Sequence, residues 1–475
     1  MDLKKAAIIN AGSKFFIIVT QLITTGILGR ILSPMDYGIV AVIAVFFYFF
    51  TGISDVGLIS AVIQHKELSK KDCSHIFSVT VYLGIILGGL FIGISRILVI
   101  VYESKVYWYL GLLLSISVLF SSMNAVPGAI LMREKRFLLS AFRNILTSVI
   151  AGIIAIIMAL NGFRFYSVIV QMIVGAVLTF TFNALVSKVG FTPFPDLKPV
   201  RKLLRFSTFQ VLYDAVFFLS QNMDNLLAGR IFGKEKLGYY NKAYSLTQYP
   251  VNNISGVVSP VLHPILSDYQ SDTEALYQKI MPVVRVLGIL GAFIAPFCFF
   301  EGREMILIVF GKQWTESVVC FRVFAFSIYA QMLNQCISAG FQSIGKTNLL
   351  FINEVINTGI MLTAILIGIF AFEDIFGLAL CVSVAYIIRF FIAYYILIRF
   401  GFRRSYFLFL REISPEIIML FVMNGVALFI PVSVDNLYLS FVIKGGIMVG
   451  LYALLLFSSG DWKLIRDAVF SSKRD

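Results

Sequence analysis

Long apolar stretches, each about the length a helix needs to cross a bilayer, recur about every 34 residues along this chain. Fourteen are placed: 7–30, 37–62, 76–100, 107–131, 138–160, 166–187, 206–231, 237–264, 282–300, 317–341, 349–372, 376–398, 414–434 and 438–458. The eighth is richest in Tyr, Asn and Pro. The connections are short, and none has room for a soluble domain. In hydrocarbon each backbone amide must be satisfied within its own segment, so runs of this length predict helices. The expected fold is an all-α polytopic membrane protein with about fourteen transmembrane helices.

The polar positions inside these stretches repeat. Gln21, Gly29, Arg30 and Ile31 of the first span reappear as Gln221, Gly229, Arg230 and Ile231 of the seventh. At the same offset Gly38 matches Gly238, Asn10 falls on Gln210, and Lys14 falls on Asp214. An even number of spans separates the two, so the halves insert in the same orientation, as parallel repeats. The expected domains are an N-lobe over 1–200, a C-lobe over 201–400, each of six helices, and a terminal helix pair with a tail over 401–475.

Composition agrees with the pattern. Of 475 residues, 59% are hydrophobic and 14% charged, with a mean hydropathy of +0.89. A soluble enzyme, a disordered chain and a secreted disulfide scaffold are excluded. The net charge of +13, from 39 Lys and Arg against 26 Asp and Glu, is explained mostly by topology. Among the loops, alternate ones hold most of the basic residues, including Lys4, Lys70, Lys71, Arg133, Lys135, Arg136, Arg201, Arg403, Arg404 and Lys463. The opposite loops hold few: Lys105, Arg164, Lys234, Lys236, Arg303 and Lys312. The positive-inside rule then places both termini in the cytoplasm. Met1–Lys5 resembles a signal-peptide start, but the apolar run continues to Leu28 without a cleavage pattern and reads as a retained span. Trp108, Trp314 and Trp462 fall at span ends, where an interfacial belt would put them. Five scattered cysteines and three histidines show no metal-ligand spacing, so no metal site is expected.

Basic residues inside the spans outnumber acidic ones. A charge at mid-bilayer costs at least about 2.5–3.5 kcal/mol, so such groups face protein or a wet cavity. Arg143, Arg285, Arg322, Arg389 and Lys444 are the candidates for a cationic lumen, with Lys14, Arg30 and Arg230 beside them. For Arg30 and Arg230, close to span ends, snorkelling to the interface is the competing account. The seventh span carries Gln210, Asp214, Gln221, Asp224 and Asn225 on one helical face; the first carries Asn10, Lys14, Gln21, Thr24 and Thr25. These stripes would line a groove between lobes, or serve as interhelical hydrogen-bond glue. Lys14 and Asp214 would pair across the repeat axis as a gate, or each pair locally. Glu354 and Arg389, on neighbouring spans, would pair with each other. Asp214, Asp224 and Glu354 are the candidates for gating or for coupling to H⁺ or Na⁺. The segment from Gly340 to Thr347 fits a phosphate-loop pattern, but it ends an apolar span without a surrounding sheet, so nucleotide binding is rejected.

Several segments resemble a known family. Leu28-Gly29-Arg30-Ile31-Leu32-Ser33-Pro34-Met35-Asp36-Tyr37-Gly38 is similar to the segment after the first helix of bacterial polysaccharide exporters. Asn222-Met223-Asp224-Asn225 with Leu237–Tyr244, Gly311–Trp314, and Ala339–Lys346 resemble later segments. The chain is identified as a Wzx-like polysaccharide transporter of the multidrug/oligosaccharidyl-lipid/polysaccharide flippase superfamily, most similar to colanic-acid and teichuronic-acid exporters. The resemblance implies two lobes, alternating access, and flipping of an undecaprenyl-diphosphate-linked oligosaccharide for cell-surface polysaccharide export. It implies no catalytic residues, no cofactor beyond a coupling H⁺ or Na⁺, and no nucleic acid. Implied partners are the lipid-linked glycan, membrane lipids and polymerase or export machinery. Two alternatives stay open: a multidrug/cation antiporter, which favours an acidic lumen, and a membrane glycosyltransferase or polymerase, which needs carboxylates on a sizeable outer loop.

Overall fold

The computed structural model describes residues 3–55, 59, 62–63, 68–196, 218, 221–267, 273–429, 435–464 and 466. Among them there is no strand. Among the described residues eleven helices are long and apolar enough to cross a membrane, and a shorter apolar helix covers Ser414–Leu428. The chain is therefore a multi-pass membrane protein. The predicted seventh span is described only at 218 and over 221–231, so the polar pattern at Gln210 and Asp214 lies outside the described residues.

The fold divides into two compact units, Met1–Gly238 and Tyr239–Asp475. The first holds α1 (Leu3–Ile31), α2 (Pro34–Asp55), α3 (Lys70–Val101), α4 (Val106–Arg133), α5 (Phe137–Leu160), α6 (Tyr166–Ser187) and α7 (221–231). Here α4 is central, packing on α2, α3 and α6, while α5 packs on α1 and α6. Small residues let the helices close up. A β-carbon on Gly152 of α5 would lie 2.7 Å from the Thr24 hydroxyl of α1. Thr24, one member of the predicted polar stripe, is thus buried against α5.

The segment after α1 has a local physical reason for its sequence. Ser33 caps α2: its amide and hydroxyl donate to Asp36 Oδ2 at 3.0 and 2.7 Å, and the Asp36 amide donates back to Ser33 Oγ at 3.3 Å. Pro34 occupies the first helical position, where no amide is needed. Arg164 bonds the other Asp36 oxygen at 3.0 Å. Gly38 is required by close approach, because a β-carbon there would collide with the carbonyl oxygen of Lys234. The same holds in reverse: a β-carbon on Gly238 would collide with the carbonyl oxygen of Pro34. Both glycines lie in the first unit, and the 200-residue offset relates them.

The second unit holds most of α8 (Lys234–Ser267), then α9 (Thr273–Phe300), α10 (Gly302–Phe310), α11 (Thr315–Asn334), α12 (Ile337–Ser343), α13 (Thr347–Phe370), α14 (Ile375–Ile396), α15 (Tyr406–Glu412), α16 (Ser414–Leu428) and α17 (Leu437–Ser459). Helix α11 packs on α9 and α14, and α14 on α13. The terminal helices pack on α9 and α10 and form part of this unit. Helices α4 and α9 run through Pro127 and Pro296 unbroken.

Trp314 is fully buried, edge-on to Tyr239 at 6.0 Å between ring centroids, because the connection after α9 folds back as α10 and a 3₁₀ turn. It packs against protein, with Phe310 6.0 Å away between ring centroids. The Lys346 ammonium donates to Phe400 O at 2.6 Å, satisfying a carbonyl freed where α14 ends in the π-helical turn Leu397–Gly401.

Candidate functional site

Each intramembrane cation is judged by what bonds it. Arg143 sits two turns into α5 and is only 8% exposed. Its Nη1 donates to Asn183 Oδ1 of α6 at 2.7 Å. Its Nε and Nη2 donate to Asn144 Oδ1 at 3.0 and 2.6 Å. Asn183 in turn donates to Asn124 Oδ1 of α4 at 2.7 Å. Three amides therefore hold the guanidinium in place, and none carries a negative charge. No carboxylate bonds Arg143 among the described residues. Amide oxygens satisfy its donors without neutralising it, so a buried unit positive charge remains. The sequence reading found Arg143 and missed the three asparagines, which come from three helices and share no local motif.

In the second unit, two of the predicted lumen cations meet carboxylates. Arg285 Nε donates to Glu416 Oε1 of α16 at 2.7 Å, and its Nη2 to Asp461 Oδ1 at 2.8 Å. Glu416 is fully buried and Asp461 nearly so. One cation faces two anions, and the cluster is net negative. Lys444 of α17 donates to Glu304 Oε1 of α10 at 2.7 Å, with Ser440 Oγ on the same oxygen at 2.9 Å. Glu304 is fully buried. Burial alone raises its carboxyl, but the Lys444 and Ser440 bonds overcome this and hold it below the usual carboxylate value.

The remaining candidates are dispersed. Arg389 of α14 and Glu354 of α13 feel each other's charge but form no direct ion pair, contrary to expectation. Arg389 leans over the Tyr386 ring, 5.5 Å from its centroid, with Nε and Nη1 buried and unbonded. Glu354 accepts from Asn353 Nδ2 at 3.4 Å, and its other oxygen is unbonded. The buried Asn353 Oδ1, Asn357 Oδ1 and Ser383 Oγ on the same two helices also lack partners. Arg322 of α11 is half-buried, with Nε unbonded. Asp224 of α7 is buried and accepts from the Asn225 amide and side chain at 2.8 and 3.2 Å. Lys14 is half-buried on α1; Arg30 is exposed; Arg230 is exposed and meets Glu103 at 3.1 Å at the helix end. Along α13 and α14 runs an open apolar groove of about 660 Å³, lined by residues such as Ile356, Ile360, Ile367, Leu380 and Val384.

Residues 27–319 match the family described as polysaccharide biosynthesis protein. Among curated relatives, a succinoglycan biosynthesis transport protein of Rhizobium meliloti is 25% identical over 62% of this chain and 60% of its own length. The teichuronic acid biosynthesis protein of Bacillus subtilis is 22% identical over 66% and 65%. A lipopolysaccharide biosynthesis protein of Escherichia coli is 23% identical over 76% and 73%. The match thus spans somewhat less than two thirds of the first of these relatives. Among solved structures, a lipid II flippase in an inward closed conformation superposes with a TM-score of 0.74 at 18% identity, covering 96% of this chain and 99% of that one. A multidrug resistance transporter in an inward-facing conformation superposes at 0.62 and 16%, covering 86% and 98%. At these identities the structures speak for the fold. This chain belongs to the polysaccharide biosynthesis protein family and shares the polytopic helical fold of these structures.

Proposed function

We propose that this member of the family flips an undecaprenyl-diphosphate-linked oligosaccharide from the cytoplasmic to the outer leaflet by alternating access, feeding cell-surface polysaccharide export. The observation that carries the reading is the uncompensated Arg143. A diphosphate needs a fixed cation that no protein carboxylate already occupies. Arg143 lies six residues into α5, roughly 9 Å along the helix from its start. By the Lys/Arg bias that start is cytoplasmic, the side from which a lipid-linked precursor would enter. The apolar groove on α13 and α14 offers a hydrocarbon surface of the kind a polyprenyl chain seeks. The names of the relatives and the flippase fold support the same reading. The cation-antiporter alternative fits less well, because a buried arginine without an acid partner repels a cationic drug. Transport is coupled to H⁺ or Na⁺ in this proposal, and polymerase or export machinery takes up the product.

Replacing Arg143 by Gln should cut polysaccharide export by about tenfold or more, the equivalent of one lost charge-assisted bond. Undecaprenyl-linked intermediates should accumulate at unchanged protein level. Arg143→Lys should retain part of the activity. Export at the parental level in Arg143→Gln would sink the reading.

A further inference from the structure

Glu301 closes α9 and precedes α10, just beyond the span Thr273–Phe300. Its side chain is fully buried, and neither carboxyl oxygen has a hydrogen-bond partner. A buried ionised carboxylate without a bond is among the least stable arrangements a protein can hold.

The charged surroundings explain why it is left alone. From α10, Glu304 faces it. From α17, Lys444 faces it, but the ammonium is spent on Glu304 Oε1. From α11, the Arg322 chain runs past Gly302 without bonding Glu301. Arg303, Lys312 and Glu316 are exposed. Of the two basic residues of α9 itself, Lys279 lies about six turns away and Arg285 more than four, the latter held by Glu416 and Asp461. Glu301, Glu304 and Lys444 together carry one negative charge too many for a buried cluster. One proton on Glu301 removes it.

We propose that Glu301 is a proton-binding site, occupied in this conformation, and that its proton is the one coupled to transport. Binding is a simple addition: carboxylate plus one proton from water gives the neutral carboxyl, and release reverses it. A proton suits the cluster better than a metal cation, because Lys444 already stands beside it. The position beyond the end of α9 puts the site near the outer surface by the Lys/Arg bias. Burial first, then the Glu304 charge, push this carboxyl up to about 7 despite Lys444, so it exchanges near neutral pH. The first half of the proposal stands on the cluster alone; the coupling half rests on the transport reading above.

A carboxyl held above its unfolded value stabilises the fold in acid, and the contribution is lost as pH rises toward the folded value. The window runs from about 4.3, the usual glutamate value, to about 7. Full-length protein in lipid nanodiscs should therefore show a neutral-carboxyl infrared band that titrates near neutrality. Glu301→Gln, a neutral mimic, should abolish that band, and its thermal stability should fall less across the window than the parent's. Glu301→Met, of similar volume, serves if the amide variant misfolds. A titrating band that persists in both variants overturns the site. For coupling, proteoliposomes would flip undecaprenyl diphosphate under an imposed pH gradient. The parent rate should rise with the gradient and the Glu301→Gln rate should not. Equal gradient response in both overturns the coupling half. Failure of the parent to flip the probe at all would count against the transport reading, while the infrared titration still judges the site.

Discussion

Arg143 and Arg285 are the same side chain on helices of similar length, and their surroundings give them opposite roles. Arg143 is bonded by amides and keeps its charge. Arg285 is bonded by two carboxylates and loses it. The sequence shows both arginines inside apolar stretches, which is why both read as lumen cations. It does not show which acids reach them, because Glu416 and Asp461 follow Arg285 by 131 and 176 residues. The two clusters predict different mutant behaviour. Arg285→Met should destabilise the protein strongly, by about 3–5 kcal/mol, because it strands buried carboxylates. Adding Glu416→Gln and Asp461→Asn should restore much of the loss. Thermal unfolding in detergent measures both; a single mutant with unchanged midpoint would refute the clamp. Arg143→Gln should act chiefly on export, as argued above.

Helices are what the sequence shows best. Apolar length located nearly every described element, because bilayer thickness and backbone satisfaction leave little choice. Helix ends and contacts depend on finer chemistry. Ser33, Pro34 and Asp36 are readable in hindsight as a capping box with proline at the first position, yet in the sequence they stood only as a family-like segment. Ser33→Ala should cost about 1 kcal/mol. Asp36→Ala should cost more, since it also removes the ion pair with Arg164. Denaturation midpoints of the two variants give the order, and an equal loss would count against the Arg164 contribution. The fold-back of α10 was the least legible element. A nine-residue amphipathic helix leaves no bilayer-length signal, so Glu301 and Glu304 read as outer-loop residues and the buried cluster went unseen.

At the scale of the whole molecule, the class of fold was legible from hydropathy, and the family from segments spread along the chain. The Lys/Arg bias adds an orientation that labelling can check. The native cysteines are buried, apart from the half-buried Cys381. Lys105, Lys135 and Lys312 are all exposed. Cysteines at 105 and 312 should react with a membrane-impermeant maleimide in intact cells. A cysteine at 135 should react only after the membrane is opened. Labelling of 135 in intact cells would reverse the assigned topology.

The two glycines that meet opposite carbonyls form one tight crossing. Gly38 meets the carbonyl of Lys234, and Gly238 meets that of Pro34. Each side supplies the same two features, a helix-starting carbonyl and a glycine one turn later. A β-carbon added on either side therefore opens the same crossing, and neither glycine can change to relieve the other.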